Sequence, residues 1–272
     1  MKIPKLFHQI WFGDNIPQLK QKWLNGNKKK LESEGGWTYK LWQSKDLNLE
    51  NFPQTLKYIL KALKLKRYAM AADLARYEIL YIHGGVYMDA NMELQQKRLT
   101  TMLNRAFKYN KTLIVAHEDK DVVPLHASIQ ITKGGKTVTR KYISNGFIAV
   151  IPKHIALKRA TDRNRLNKIN WRNKMINQET GPFYWRESIK DNDIKNILVL
   201  KTKEIYPFSL YHTFGYGKNG ESNNKCISKL KSKNSLNITV GNGVLRYITV
   251  PCAKYTQSYS VDHFNAGGTW IK

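Results

Sequence analysis

A chain of 272 residues that is 42% apolar is long enough to fill one large α/β domain, and that apolar share excludes wholesale disorder. Lys and Arg number 46 against 20 acidic residues, so a formal charge of +26 draws the chain toward phosphate-rich partners: nucleic acid, anionic lipid or an acidic glycan. No run approaches the ~20 consecutive apolar residues of a membrane-spanning helix, and the two cysteines, Cys226 and Cys252, are too few for a disulfide framework and too isolated for a zinc site.

The opening MKIPKLFHQIWFG lacks the apolar run and cleavage site of a signal peptide, so the expected location is the cytoplasm. Residues 3–12 form an apolar segment stopped by Gly13-Asp14, which predicts a buried first strand. Within it His8 reads as a core or turn residue. After the Gly35-Gly36 break, residues 37–42 predict a second strand. From Pro53 onward Leu56, Ile59, Leu60 and Leu63 recur at helical spacing, with Lys57, Lys61 and Lys64 as a stripe on the other side. That basic face suits an anionic surface, though a solvated lysine face is the commoner explanation of such a stripe.

A second helix is expected over residues 67–82, ended by Gly84-Gly85, since glycine just past the last turn is a strong stop. Residues 86–89 then predict a short strand. Alternation puts Tyr87, Asp89 and Asn91 on one face and turns Val86 and Met88 into the core. A helix delivering into a strand with polar groups at its end is the α/β unit in which ligands bind. Further strands are expected at Leu113–Ala116, 146–151 and Ile197–Leu200, and a helix over 153–165. Residues 215–235, rich in Gly, Asn, Lys and Ser without periodicity, read as a long mobile loop. There is no internal repeat, so one domain over 1–272 is the simplest organisation.

The chemistry concentrates in ADLARYEILYIHGGVYMDAN, residues 72–91. Asp73 and Arg76 lie three apart and share a helix face; a buried ion pair and a ligand-facing pair both fit that spacing. Asp89-Ala90-Asn91 places acid and amide oxygens at a strand end, which suits a hard divalent cation bound to a diphosphate. D-x-N alone is a weak motif. Joined to D-x-x-R-Y, Gly-Gly and Tyr-x-Asp at this spacing, it is specific.

This stretch resembles the signature of glycosyltransferases carrying the DXD sugar-binding motif, a group that includes fungal mannosyltransferases and capsular-polysaccharide enzymes, with the clostridial glucosylating toxins more distant. Their pattern runs S-D-x-x-R-Y-x-x-L, then G-G-x-Y-x-D-x-D. Here it reads Ala72-Asp73-Leu74-Ala75-Arg76-Tyr77-Glu78-Ile79-Leu80, then Gly84-Gly85-Val86-Tyr87-Met88-Asp89-Ala90-Asn91. The similarity extends in family order through Ile3-Pro4-Lys5, His8-Gln9-Ile10-Trp11-Phe12-Gly13, Asn145-Gly146-Phe147 and Pro152-Lys153-His154. It continues through Glu179-Thr180-Gly181-Pro182 and Tyr206-Pro207-Phe208 to the closing His263 and Thr269-Trp270.

The resemblance implies a GT-A fold: a Rossmann-like mixed sheet flanked by helices, with a mobile C-terminal loop region. It implies a UDP- or GDP-hexose donor held mainly by residues 1–95. The acceptor side and a closing segment would lie in 145–272, and transfer would retain the anomeric configuration. The acceptor would be a glycan, glycolipid or protein, with peripheral contact to an anionic membrane at its inner face and no specific nucleic acid. By position, Asp89, Asp73 and Arg76 form the catalytic group, Asp73 and Arg76 holding the donor sugar's hydroxyls. Trp11 stacks on the donor base or serves as a core indole, and Tyr87 lies against the diphosphate or sugar. Asn145 contacts sugar or acceptor, or simply makes a turn. Asp89, Asn91 and His263 would hold Mn²⁺ or Mg²⁺, and Thr269 with Trp270 would close over the pyrophosphate.

The sequence departs from the family where Asn91 replaces the second acid, which lowers the negative charge offered to a metal; Glu93 and Asp262 are candidates to compensate. Ala72 and Thr269 each replace a Ser. Two other readings stand beside this one: a basic nucleic-acid-binding protein with an incidental D-x-N, and an inactive nucleotide-sugar-binding homologue.

Overall fold

The computed structural model describes residues 1–95, 97–117, 143–173 and 175–205, together with the backbone of five further strands within 129–140, 235–251 and 260–262. In chain order the first half runs β1 (Leu6–Trp11), α1 (Gln18–Glu34), β2 (Thr38–Gln43), α2 (Leu56–Lys64), α3 (Tyr68–His83), β3 (Gly85–Met88), β4 (Met92–Leu94), α4 (Leu99–Lys108) and β5 (Leu113–Ala116). Then follow β6 (Ile129–Lys133), β7 (Lys136–Arg140), β8 (Phe147–Val150), α5 (Ile155–Ala160), α6 (Arg163–Leu166), α7 (Ile176–Glu179), α8 (Pro182–Ser188), β9 (Ile197–Leu200) and α9 (Thr202–Ile205). The last strands are β10 (Ser235–Val240), β11 (Arg246–Pro251) and β12 (Ser260–Asp262).

Six strands make the central sheet in the order β2-β1-β3-β8-β5-β9. β1 is parallel to β2 and β3, β8 is antiparallel to both its neighbours, and β5 is parallel to β9. This is the mixed sheet flanked by helices that the sequence led us to expect. Both faces are covered, so each strand sends alternate side chains into two separate cores. Tyr87, Ile148 and Val150 enter one core with α2, α3, α5 and α8. Val86, Met88, Phe147 and Ala149 enter the other with α4. The expected alternation along residues 86–88 therefore holds, but Tyr87 faces a second core rather than solvent and is 1% exposed.

Two local readings are corrected by packing, and one helix, α1, was not among the expected elements. α2 buries Tyr58, Ile59 and Ala62, whereas Leu60, expected among the core positions, is 48% exposed. The helix expected over 153–165 breaks in two, because the Asp162 carboxylate accepts from the Asn164 and Arg165 amides and caps a new helix. α1 has no strong apolar periodicity, and it docks through a sparse stripe of Trp23, Leu24, Asn27 and Leu31. Asn27 satisfies polar backbone on β4, donating to the Met92 carbonyl and accepting from the Leu94 amide.

The Gly84-Gly85 turn has a steric cause. Both residues have positive φ, 64° and 93°, and a Cβ on Gly85 would lie 2.4 Å from the Leu6 carbonyl oxygen of β1. Only glycine combines that backbone conformation with so close a strand approach. Gly85→Ala is expected to destabilise the fold by about 3–5 kcal/mol, read as a lowered urea midpoint; a midpoint equal to wild type would show that β1 and β3 are not held this tightly.

Candidate functional site

β3 ends at Met88, and Asp89 follows at once, its amide donating to the Gly146 carbonyl and its carbonyl accepting from Met92 in a tight turn. That turn carries Asp89, Ala90 and Asn91 to the C-terminal edge of β1 and β3. Gln9 from β1 steadies it by donating to the Asp89 carbonyl, 3.2 Å away. The sheet thus delivers the D-x-N segment where the strand pattern placed it.

α3 precedes β3 and runs back along it, so residues near the start of α3 meet the end of the strand. Asp73, Arg76 and Tyr77 stand at i, i+3 and i+4 on one face of α3. The guanidinium of Arg76 bridges two acids: one nitrogen is 2.9 Å from Asp73 Oδ1, the other 3.0 Å from Asp89 Oδ1. The second nitrogen also donates to the Asn145 carbonyl at 2.7 Å. The plane lies over the Tyr87 ring, 4.5 Å from its centre. Tyr87 completes the set by donating its hydroxyl to Asp89 Oδ1 at 2.6 Å. Burial holds that phenol well above its ordinary pKa, so it remains a donor.

Asp73 is fully buried, and both its oxygens are taken. Oδ1 accepts from Asn145 Nδ2 at 2.7 Å as well as from Arg76; Oδ2 accepts from the Thr180 hydroxyl at 2.9 Å. The Tyr77 hydroxyl accepts from Asn145 and donates to the Thr180 carbonyl. Sequence reasoning assigned no role to Thr180 or Tyr77, although both lie inside quoted motifs. Nothing in the spacing says that residues 107 apart share one carboxylate.

The structure therefore joins Asp73, Arg76, Tyr87, Asp89 and Asn145 into one network. It places Asn145 as a brace with its amide nitrogen spent inside the network. Asp89 is its outermost charge, with 22% of its side chain open while Asp73 and Arg76 are closed off. Asn91 lies on the adjoining turn and is partly exposed. Trp11, at the end of β1, keeps a buried indole N–H with no hydrogen-bond partner among the described residues. Glu93 lies 3.7 Å from Lys30. His263, Thr269, Trp270, the Asp262 side chain, Tyr206-Pro207-Phe208 and the 215–235 loop lie outside the described residues. β12 nevertheless pairs with β4 so that Asp262 stands opposite Met92, the residue after Asn91. The C-terminal strand thus returns to the D-x-N turn.

Two carboxylates and one guanidinium leave the network one net negative charge. A diphosphate is itself negative and is repelled from such a site unless a cation intervenes. The oxygen donors of Asp89 and Asn91 are of the type that Mg²⁺ and Mn²⁺ accept, the remaining positions going to water and substrate phosphate. Among the described residues no cluster of three His, Cys, Asp or Glu side chains forms a complete metal cage.

Two buried groups give opposed pH dependence. Burial, reinforced by His83 against a bond to the Gly84 carbonyl, lowers His8 to about 4; the neutral ring donates to that carbonyl and accepts from the Trp42 indole. Between the ordinary 6.5 and about 4 only the unfolded chain takes up this proton, so stability falls as pH drops. Burial raises Asp73 to about 6 despite Arg76, so there the folded chain takes up the proton first and stability rises as pH drops toward 3.8. Wild type should show a shallow dependence over this range. Asp73→Asn, which removes the effect opposing that of His8, should lose stability more steeply on acidification; His8→Gln should lose less than wild type. Identical slopes of urea midpoint against pH in all three would refute both assignments.

With this geometry in place, the comparisons with known proteins show what the chain is similar to. Residues 14–108, from the loop after β1 to the end of α4, match the family described as glycosyltransferase sugar-binding region containing DXD motif. The chain carries a DXD glycosyltransferase sugar-binding region. Over 106 residues it is 30% identical to inositol phosphoceramide mannosyltransferase 1 of Schizosaccharomyces pombe, covering 39% of this chain and 33% of that protein. Over 219 residues it is 27% identical to an uncharacterized glycosyltransferase, L373, of Acanthamoeba polyphaga mimivirus, covering 77% and 75%. The chain thus spans about a third of the length of the fission-yeast relative and three quarters of the viral one. A solved structure titled PaToxG glycosyltransferase overlays on 69% of each chain at 18% identity with a TM-score of 0.48. The matched DXD region holds Asp73, Arg76, Tyr87, Asp89 and Asn91, while Asn145 and Thr180 brace it from outside the match.

Proposed function

We propose that this chain is a nucleotide-sugar-dependent glycosyltransferase of the GT-A type that moves a hexose to a glycan, glycolipid or protein acceptor with retention at the anomeric carbon. The observation that carries the reading is the buried Asp73–Arg76–Asp89 relay, which holds one partly open carboxylate at a strand end beside Asn91. Such a relay has no packing purpose that an apolar core would not serve better. It makes sense as a device that fixes the direction of Asp89. Asp89 and Asn91 would hold Mn²⁺ or Mg²⁺ together with the donor diphosphate, a contribution that stabilises the charge of the departing nucleoside diphosphate. His263, one residue beyond the strand that pairs with β4, is the proposed third ligand, with Thr269 and Trp270 closing over the pyrophosphate.

The chain's own residues do the positioning. Arg76 and Tyr87 lock Asp89 Oδ1, leaving its other oxygen for ligand. Trp11, at the same sheet edge with an N–H that has no partner among the described residues, is proposed to lie against the donor base. Asp73 is enclosed and fully bonded, so it is no nucleophile, which favours same-face attack by the acceptor over a covalent sugar adduct. The mannosyltransferase relatives are named for inositol phosphoceramide, which favours a hexose of the mannose type and a lipid acceptor. A thermal-shift screen of UDP- and GDP-hexoses, with Mn²⁺ titrated, tests this reading. One nucleotide sugar should raise the melting temperature, and Mn²⁺ should enlarge the rise. The absence of a shift with every donor, with and without Mn²⁺, would sink it.

A further inference from the structure

The solvent face of α2 is not the plain lysine stripe that its sequence suggests. Lys57, Leu60, Lys61 and Lys64 occupy i, i+3, i+4 and i+7, so Leu60 stands within the stripe and is 48% exposed. The turn into α3 continues the pattern: Leu65 is 47% exposed and Tyr68 40% exposed, with Lys66 between them at the tip. Lys66 has a φ of 56°, a conformation in which glycine is the usual occupant, and still presents a charge. Residues 171–173 join this surface, because Arg67 donates to the Asn173 carbonyl and Lys61 lies over the Trp171 ring. They add the exposed Arg172, and Met175 beyond them is also exposed. From residue 51 to residue 72 there is no acidic residue. Among the described residues no carboxylate pairs with Lys57, Lys61, Lys64 or Lys66. Glu179, at the border, is engaged by the Asn170 amide and the Asn173 side chain.

We propose that this surface, the outer face of α2 with the α2–α3 turn, residues 171–173 and Met175, is a docking site for an anionic phospholipid bilayer. Exposed leucine, tyrosine and methionine interleaved with lysines that no described carboxylate neutralises match a headgroup layer, which offers negative charge outside and hydrocarbon beneath. A nucleic-acid backbone would use the lysines and leave Leu60, Leu65 and Met175 without purpose. Among the described residues no helix is long and apolar enough to cross a membrane. The location also matters. α3 runs back along β3, so the α2–α3 turn lies at the sheet edge where Asp89 sits, and Tyr68 precedes Asp73 by only about 7.5 Å along the helix. Docking here holds the candidate site close to the bilayer surface. If the transferase reading is right, the acceptor is presented from that surface.

Co-sedimentation of the full chain with vesicles tests the docking without any sugar donor. Wild type should bind phosphatidylcholine vesicles containing phosphatidylserine at low salt and should bind pure phosphatidylcholine weakly. Lys57→Glu/Lys61→Glu/Lys64→Glu should lower the partition coefficient by roughly a hundredfold or more. Leu60→Ser/Leu65→Ser, both at exposed positions, should lower it by about tenfold with unchanged circular dichroism. Absence of wild-type binding at low salt overturns the proposal. So does a leucine variant that binds vesicles like wild type while the lysine variant loses duplex DNA and vesicles equally, because the surface is then a charge patch for nucleic acid. Donor hydrolysis measured in solution reports separately on the transferase reading, so failure of one leaves the other standing.

Discussion

Asp89→Asn is expected to abolish sugar transfer and donor hydrolysis, a loss of at least about three orders of magnitude in kcat/KM. The substitution keeps the shape and removes the one charge of the relay that remains open to ligand. It also removes the net negative charge that would attract a cation. The fold should survive at a cost of about 1–3 kcal/mol, because Arg76 loses one charged partner but keeps Asp73 and the Asn145 carbonyl. Asn91→Asp should keep activity and tighten Mn²⁺, since it adds a carboxylate where the family has its second acid. Donor hydrolysis with Mn²⁺ titrated against wild type and both variants checks the pair of expectations. Full activity in Asp89→Asn would remove the site assignment and with it the functional proposal.

The second large effect is on folding. Arg76→Ala strands the Asp73 carboxylate, which has no exposure, without its cation, and should cost about 3–5 kcal/mol. A marginally stable domain could lose most of its folded population to a change of that size. Asp73→Asn in the same chain should recover part of the loss: the double variant is expected to be about 2 kcal/mol more stable than the sum of the single effects. Chemical denaturation of the four proteins gives the coupling directly. Additive effects would mean that the 2.9 Å pair contributes nothing specific. Arg76→Lys separates folding from geometry, because an ammonium cannot serve Asp73, Asp89 and the Asn145 carbonyl in one plane. It should fold better than Arg76→Ala yet bind donor more weakly than wild type. A variant that binds donor like wild type would show that the direction of Asp89 is unimportant.

Much of this was legible in the chain itself. Glycines at 84 and 85, after a helical run and before Val-Tyr-Met-Asp, specify a stop, a tight turn and a strand end, because only glycine tolerates those backbone angles beside β1. The spacing of Asp73, Arg76 and Tyr77 puts them on one helical face wherever the helix lies. Strands at 113–116 and 197–200 read correctly because short apolar runs between breakers have few alternatives. The polar helix α1 did not read, since its docking depends on a few residues such as Asn27 whose partners lie on β4, far along the chain. Leu60 read as core because periodicity gives the helix a face but not a wide one, and only contact with α3 decided where the buried stripe ends.

What tertiary structure alone decided is which charges meet. Sequence left the Asp73–Arg76 pair open between a buried ion pair and a ligand grip, as local spacing carries no information about dielectric or distance to other elements. Folding resolved it by bringing Asn145 and Thr180, 72 and 107 residues away, onto the two oxygens of Asp73. That closes Asp73 from solvent and passes the exposed role to Asp89. It also made Tyr87 a donor that braces Asp89, because the second helical layer covers the face on which Tyr87 points. Residue types and local backbone geometry determined the parts and the place of the D-x-N turn. The order of strands, and the long-range hydrogen bonds it permits, determined which of those parts stays open at the strand end.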